Sequence, residues 1–211
     1  MLDVGCGDAS NYQSWLVSQV GKLSAIDVSE RGIENARKMG IDARVHDLSK
    51  PFPFQDSQFE GAVCIEVLEH LYDPKFAVAE IYRTLTPGGL FIASVPNNGY
   101  FRERLKALTR AELSTSISDF SNEWKGAHIR FYSLKSFRRL LEVCGFEIES
   151  VQSNGDGSIY DGLDAFGGYG MQHATSFLRR RLPRFLRLGF LENLLPSLFA
   201  PHLIVRARKP K

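Results

Sequence analysis

The chain has 211 residues, 44% of them hydrophobic, enough for one domain with a substantial core and an embellishment. A net charge of +2 gives no drive toward nucleic acid. Three scattered cysteines, Cys6, Cys64 and Cys144, exclude a disulfide framework and suit a reduced, cytoplasmic setting. No signal peptide or uninterrupted apolar span is written in the sequence, and the five histidines show no metal-ligand spacing, so no metal is expected.

Residues 1–4 read as a short buried strand, and Gly5 and Gly7 then force a tight turn. A helix from Ser10 follows, with Trp15, Leu16 and Val20 spaced to face inward. Strand, glycine turn and helix let backbone amides approach a ligand closely. The turn carries no basic residue, and Asp3 and Asp8 would repel phosphate and suit a ligand with positive charge. The string Leu-Asp-Val-Gly-Cys-Gly resembles the first motif of class I S-adenosylmethionine-dependent methyltransferases. That resemblance implies a cofactor with a sulfonium and an ammonium group, held around Asp3, Gly5, Cys6 and Gly7. The family writes a third glycine where this chain has Ala9, a departure of one methyl group that would let the loop close more loosely. The dinucleotide fingerprint would need glycine at Ser10 and fits no better. An ordinary strand-to-helix turn is the plainer alternative.

A second strand, 22–27, ends in Asp27, 20 positions after Gly7. An acid there can accept both ribose hydroxyl protons, or else cap the helix 33–39 that follows, although Ser29 would cap as well. Val28 completes this corner. The third strand, 41–46, closes on Asp47-Leu48; by the resemblance Asp47 faces the adenine amino group, and otherwise it is a turn residue before Pro51-Phe52-Pro53-Phe54. The strand 60–66 is apolar on both faces and leads into Glu66-Val67-Leu68-Glu69-His70. This is the most family-specific string, similar to methyltransferases of ubiquinone precursors and other small molecules. It brings Glu66 and His70 to the cofactor's edge, with His70 read as a histidine that holds the loop rather than one that moves protons.

Asp73-Pro74 opens a helix with Phe76, Val78, Ile81 and Leu85 inward, and Leu-Thr-Pro-Gly-Gly before the strand 90–95 again follows the family pattern. From 96 to 130 alternation stops; a basic helical stretch at 101–108 and a serine- and aromatic-rich segment mark a substrate-loop region. His128 is the candidate general base, with a structural hydrogen bond as the alternative. A helix 134–144 is capped by Ser133 and ended by Gly145. Strands 146–151 and 202–208 form a terminal antiparallel pair, a variation that dinucleotide-binding domains lack.

The expected fold is thus one α/β domain, a doubly wound, Rossmann-like seven-stranded sheet with an antiparallel last strand. It is expected without helices before the first strand and with a helical insertion at 152–201 before the last strand. In that insertion Phe177, Leu178, Leu182, Phe185 and Leu186 form an apolar stripe with four arginines largely off it. The segment reads either as a lid on the domain or as a peripheral contact with an anionic membrane through 177–199. Methyl transfer from S-adenosylmethionine to O, N or C of a small-molecule acceptor is the expected function, and a non-catalytic binding module of the same fold is the alternative.

Overall fold

The computed structural model describes residues 1–9, 13–110, 128–153 and 195–211. The sequence elements alternate strand and helix: β1 (Leu2–Val4), α1 (Gln13–Gln19), β2 (Ser24–Asp27), α2 (Glu30–Lys38), β3 (Asp42–Val45), β4 (Phe59–Ile65), a single 3-10 turn (Leu68–His70), α3 (Pro74–Thr84), β5 (Leu85–Pro96), α4 (Phe101–Arg110), α5 (Leu134–Val143), β6 (Glu147–Ser153) and β7 (His202–Arg208). One helical turn, Pro196–Phe199, precedes β7. The strands form one seven-stranded sheet in the order β3-β2-β1-β4-β5-β7-β6. The first five strands are parallel, and β7 runs antiparallel to both β5 and β6. This is the doubly wound sheet with a reversed last strand that the sequence implied.

Period-two alternation places the core on both sheet faces. Leu2, Val4, Ala62, Cys64, Phe91 and Ala93 pack on one side with Val78 and Ile81 of α3 and Phe137 and Leu141 of α5. Ala25, Val63 and Ile65 point to the other, against Leu16, Ile33 and Ala36 of α1 and α2. Strands covered on both faces need near-continuous apolar sequence, which is why β4 reads as an unbroken run. Helix boundaries follow local chemistry. The Ser29 hydroxyl accepts the Gly32 amide, the Asp73 carboxylate accepts the Phe76 amide ahead of Pro74, and Ser133 and Ser136 form a reciprocal capping box.

Three expectations need correcting. The inward face of α1 is Gln13 and Leu16, while Trp15 is exposed. Gln13 goes in because its amide donates to the buried Asp3 carboxylate and to the Cys6 carbonyl, both at 3.1 Å. The fifth strand starts at Leu85 rather than Leu90, because Leu85 already pairs with Phe59. The third strand is shorter than expected, spanning only Asp42–Val45. Residues 111–127 of the substrate-loop region and 154–194 of the insertion, including the apolar stripe at 177–186, lie outside the described residues. Among the described residues, no helix is long and apolar enough to cross a membrane.

The Pro51-Phe52-Pro53-Phe54 loop is fastened by Arg83 of α3. Its guanidinium donates to the Phe52 and Phe54 carbonyls, to both Glu80 oxygens and to Asp56, and Glu80 in turn accepts the Phe52 amide at 2.6 Å. Five donors in a fixed planar fork match this arrangement, which a lysine could not reproduce.

A contact that no motif announces joins the glycine turn to α2. A Cβ added at Gly32 would lie 1.7 Å from the Gly7 carbonyl oxygen. Because backbone meets backbone there, nothing can swing aside. Gly32→Ala should destabilise the domain by about 1–3 kcal/mol or more, as forced overpacking does. A lowered urea midpoint with an unchanged m-value checks it, and wild-type stability would refute the contact.

Candidate functional site

In an open parallel sheet, ligands bind beyond the strand C-termini where the order reverses, here between β1 and β4. The turn after β1 contains Gly5 at φ +78° and Gly7 at φ +57°, backbone that favours glycine. A Cβ at Gly5 would strike the Val67 side chain at 2.4 Å, whereas one at Gly7 would meet nothing within 4 Å and would project into open space. Ala9 also takes a left-handed φ of 54°, its amide donating to the Cys6 carbonyl. The missing third glycine therefore leaves the turn's backbone path intact, with the alanine carrying some strain and its methyl buried in the core.

A cleft of about 360 Å³ opens here, lined by Gly5, Gly7, Asp27, Val28, Asp47, Leu48, Glu66, Val67, His70 and Leu71. The fold thus gathers eight of the sequence-selected positions, from four separate loops. Asp3 and Cys6, the other two positions selected for the cofactor, are not in the lining. Both are buried beneath the turn, and Gln13 ties Asp3 to the Cys6 carbonyl. Burial, reinforced by the charges of Asp3 and Asp27, pushes the Cys6 thiol up to about 12, so it stays protonated.

Asp27 fastens the turn. One carboxylate oxygen accepts the Gly7 amide at 2.8 Å and the other accepts the Ser29 amide at 2.8 Å. Beside it the Val28 side chain is 72% exposed, an apolar ledge on the cleft. The Asp47 carboxylate accepts the hydroxyl and the amide of Ser49, which hold its pKa below the usual range. Glu66 sits at φ 54° at the end of β4, an unfavourable conformation for a side-chain-bearing residue. It is locked by Ser94, whose hydroxyl donates to Oε1 at 2.6 Å, and by His202, whose Nδ1 donates to Oε2 at 3.0 Å.

His128 and His70 are 58 positions apart in sequence, yet their ring centroids are 4.9 Å apart. The Glu69 carbonyl accepts the amides of both Ile129 and Arg130, the Tyr132 hydroxyl donates to the Leu68 carbonyl, and Arg130 donates to the Tyr72 carbonyl. These bonds lay the segment after residue 127 along the 3-10 turn. Burial and the neighbouring His70 lower the His128 pKa, so the imidazole is neutral at pH 7. Burial, then the charge of Glu66, pushes the Glu69 carboxyl up to about 8. Sequence reasoning passed over Glu69, Gly32, Ser94 and His202; for Glu69 the visible signal was an acid between two apolar motif residues and a histidine.

The chemistry of this cleft fits S-adenosylmethionine. Three carboxylates face it, with no lysine or arginine in the lining among the described residues, matching ammonium, ribose hydroxyl and adenine amino donors, and Gly7 leaves room for close approach. Residues 2–93 match the family model described as "Methyltransferase domain". A "Probable S-adenosylmethionine-dependent methyltransferase" of Mycolicibacterium smegmatis is 29% identical over 187 residues, covering 87% of this chain and 63% of that protein. A ubiquinone biosynthesis O-methyltransferase of Xanthomonas oryzae pv. oryzae is 32% identical over 104 residues, 46% of this chain and 43% of its own. The chain thus spans less than two thirds of the length of these relatives. The fold is also that of a Haloferax volcanii methyltransferase solved with the Trm112 activator, with a TM-score of 0.62, 19% identity, and coverage of 100% of this chain and 82% of that one. A Thermotoga maritima S-adenosylmethionine-dependent methyltransferase gives a TM-score of 0.60 at 20% identity, covering 99% and 80%. The sheet and its cleft define a class I methyltransferase fold. With the domain match over residues 2–93, the chain is similar to S-adenosylmethionine-dependent methyltransferases in sequence and shares their fold.

The Glu66–His202 bond carries a pH signature. Burial opposes the charged imidazole, but the Glu66 hydrogen bond and charge outweigh it and raise the His202 pKa above 6.5. A raised folded-state pKa gives stability that is complete below the unfolded value and fades as pH rises through the folded one. The stability difference between wild type and His202→Gln should therefore be largest near pH 5.5–6 and shrink toward pH 8.5. Urea titrations across that range check it, and a difference that grows with pH would contradict it.

Proposed function

We propose that the protein transfers a methyl group from S-adenosylmethionine to a nucleophilic O, N or C atom of a small-molecule acceptor. The observation that carries this reading is the cleft at the sheet's switch point, lined by Asp27, Asp47 and Glu66 and built on the glycine turn. Relatives named for O- and C-methylation support a small-molecule acceptor, among them a 24-methylenesterol C-methyltransferase of rice that is 31% identical over 100 residues.

Bound cofactor supplies a methyl group activated by the adjoining sulfonium. Asp27 is suited to accept from ribose hydroxyls while holding the turn, Asp47 to accept from the adenine amine, and Val28 and Leu48 to pack against the base. Glu66, fixed by Ser94 and His202, presents negative charge at the cleft edge. The turn, through Gly5 and Gly7, brings backbone close to the cofactor's amino-acid end, with Asp3 and Cys6 bracing it from below. His70 and His128 stand on the acceptor side, and a neutral His128 can receive an acceptor proton. In-line displacement gains most from alignment, so the chain's main work is to hold the two partners in register. The 96–130 region would shape the acceptor pocket, and the insertion 152–201 would act as a lid or as a peripheral contact with an anionic membrane.

Asp27→Ala should weaken S-adenosylhomocysteine binding by about 1.5–3 kcal/mol, the range for hydrogen bonds to a charged group. Calorimetry on the folded variant measures this, and unchanged affinity would remove Asp27 from the cofactor site. For His128→Ala, turnover with a responsive acceptor should fall about 10²-fold or more while S-adenosylhomocysteine affinity stays at the wild-type value. Parent-level turnover would leave His128 with a structural role alone.

A further inference from the structure

Glu69 is 1% exposed, and neither of its carboxylate oxygens has a hydrogen-bond partner among the described residues. An isolated buried carboxylate costs several kcal/mol, so such a group either takes up a proton or is paired with a charge or a cation. Two imidazoles stand next to it. His70 Nε2 is 3.9 Å from Glu69 Oε1, and one ligand atom from each of Glu69, His70 and His128 lies within 4.8 Å of the other two. The backbone carbonyls of Glu69, Leu68 and Tyr72 accept bonds from Ile129, Arg130 and Tyr132 and so hold the segment that carries His128 at this place.

We propose that Glu69, His70 and His128 bind a divalent transition-metal ion on the acceptor side of the cleft. Two imidazole nitrogens and one carboxylate oxygen suit zinc, manganese, iron or cobalt, whereas magnesium and calcium favour all-oxygen sets. Three protein ligands leave coordination free for a further oxygen, as in catalytic rather than structural sites. His70 also lines the cleft, so that further ligand would come from a molecule bound beside the cofactor. Taken with the methyl-transfer reading, on which this part alone rests, the acceptor is a hydroxyl compound. With the ion bound, His128 serves as a ligand in place of the base role, and the O–H proton, made more acidic by the ion, passes to water. The oxygen's electron pair then forms the bond to the methyl carbon as the carbon–sulfur bond breaks and S-adenosylhomocysteine departs.

The test uses the full chain, stripped with a chelator and dialysed. Cobalt(II) titration followed by visible absorption, and zinc(II) titration by calorimetry, should each saturate at one ion per chain, with cobalt developing the ligand-field bands of nitrogen coordination. Glu69→Gln and His70→Ala should each weaken binding at least about 10-fold, a loss seen even for residues that only support ligands. His46→Ala, at a half-buried histidine outside the cluster, should bind as wild type. S-adenosylhomocysteine calorimetry on every variant reports folding and cofactor binding independently. Absence of saturable binding by the wild type, or wild-type affinity in both cluster variants, overturns the site. Metal binding without S-adenosylhomocysteine binding would instead sustain the site and sink the methyl-transfer reading.

Discussion

The Asp27 carboxylate accepts the Gly7 amide with one oxygen and the Ser29 amide with the other, and so binds the turn after β1 to the start of α2. The packing below it has no slack, since Gly32 leaves only the room that the Gly7 carbonyl fills. Fixing these two loops sets the cleft's floor, and β2 then delivers Val28 at its wall. The same carboxylate is the one proposed to accept from a ribose, so on that proposal structure and recognition share one side chain.

Much of this was legible from the sequence because the signals were local. Glycines after a short apolar run, an acid at the end of β2, Asp73 before Pro74 and Ser133 before α5 each act within a few residues, and each element formed where its chemistry indicated. Gln13 shows the limit. Periodicity favoured Trp15 as the inward residue, but the buried Asp3 required a donor, and that requirement lies across the chain rather than along it. Gly32 was equally silent, because a glycine in a helix looks like a local weakness until its neighbour in space is known.

The histidines illustrate the same limit at the site. Spacing along the chain gave no reason to pair His70 with His128, and His70 read as a loop-holding residue. The pairing is made by main chain, through a Glu69 carbonyl that accepts two consecutive amides, and main-chain acceptors carry no residue-type signature. Side-chain identity records what a residue offers, while backbone geometry decides which offers are brought together. The result is a cluster with two imidazoles and a carboxylate at the edge of an otherwise acidic cleft.

The position of β7 between β5 and β6 has a consequence for how the molecule is made. Among the described residues β6 pairs with β7 alone, so it joins the sheet only once β7 is available. During synthesis from the N-terminus, the first five strands can assemble while the edge of β5 stays open and β6 waits outside the sheet. An open edge is a template for pairing with another chain, so a nascent or truncated polypeptide lacking β7 exposes the strand most prone to join a neighbour. Completion of the sheet is thus a late event, and the ribosome's pace over the segment before β7 sets how long that edge remains vulnerable.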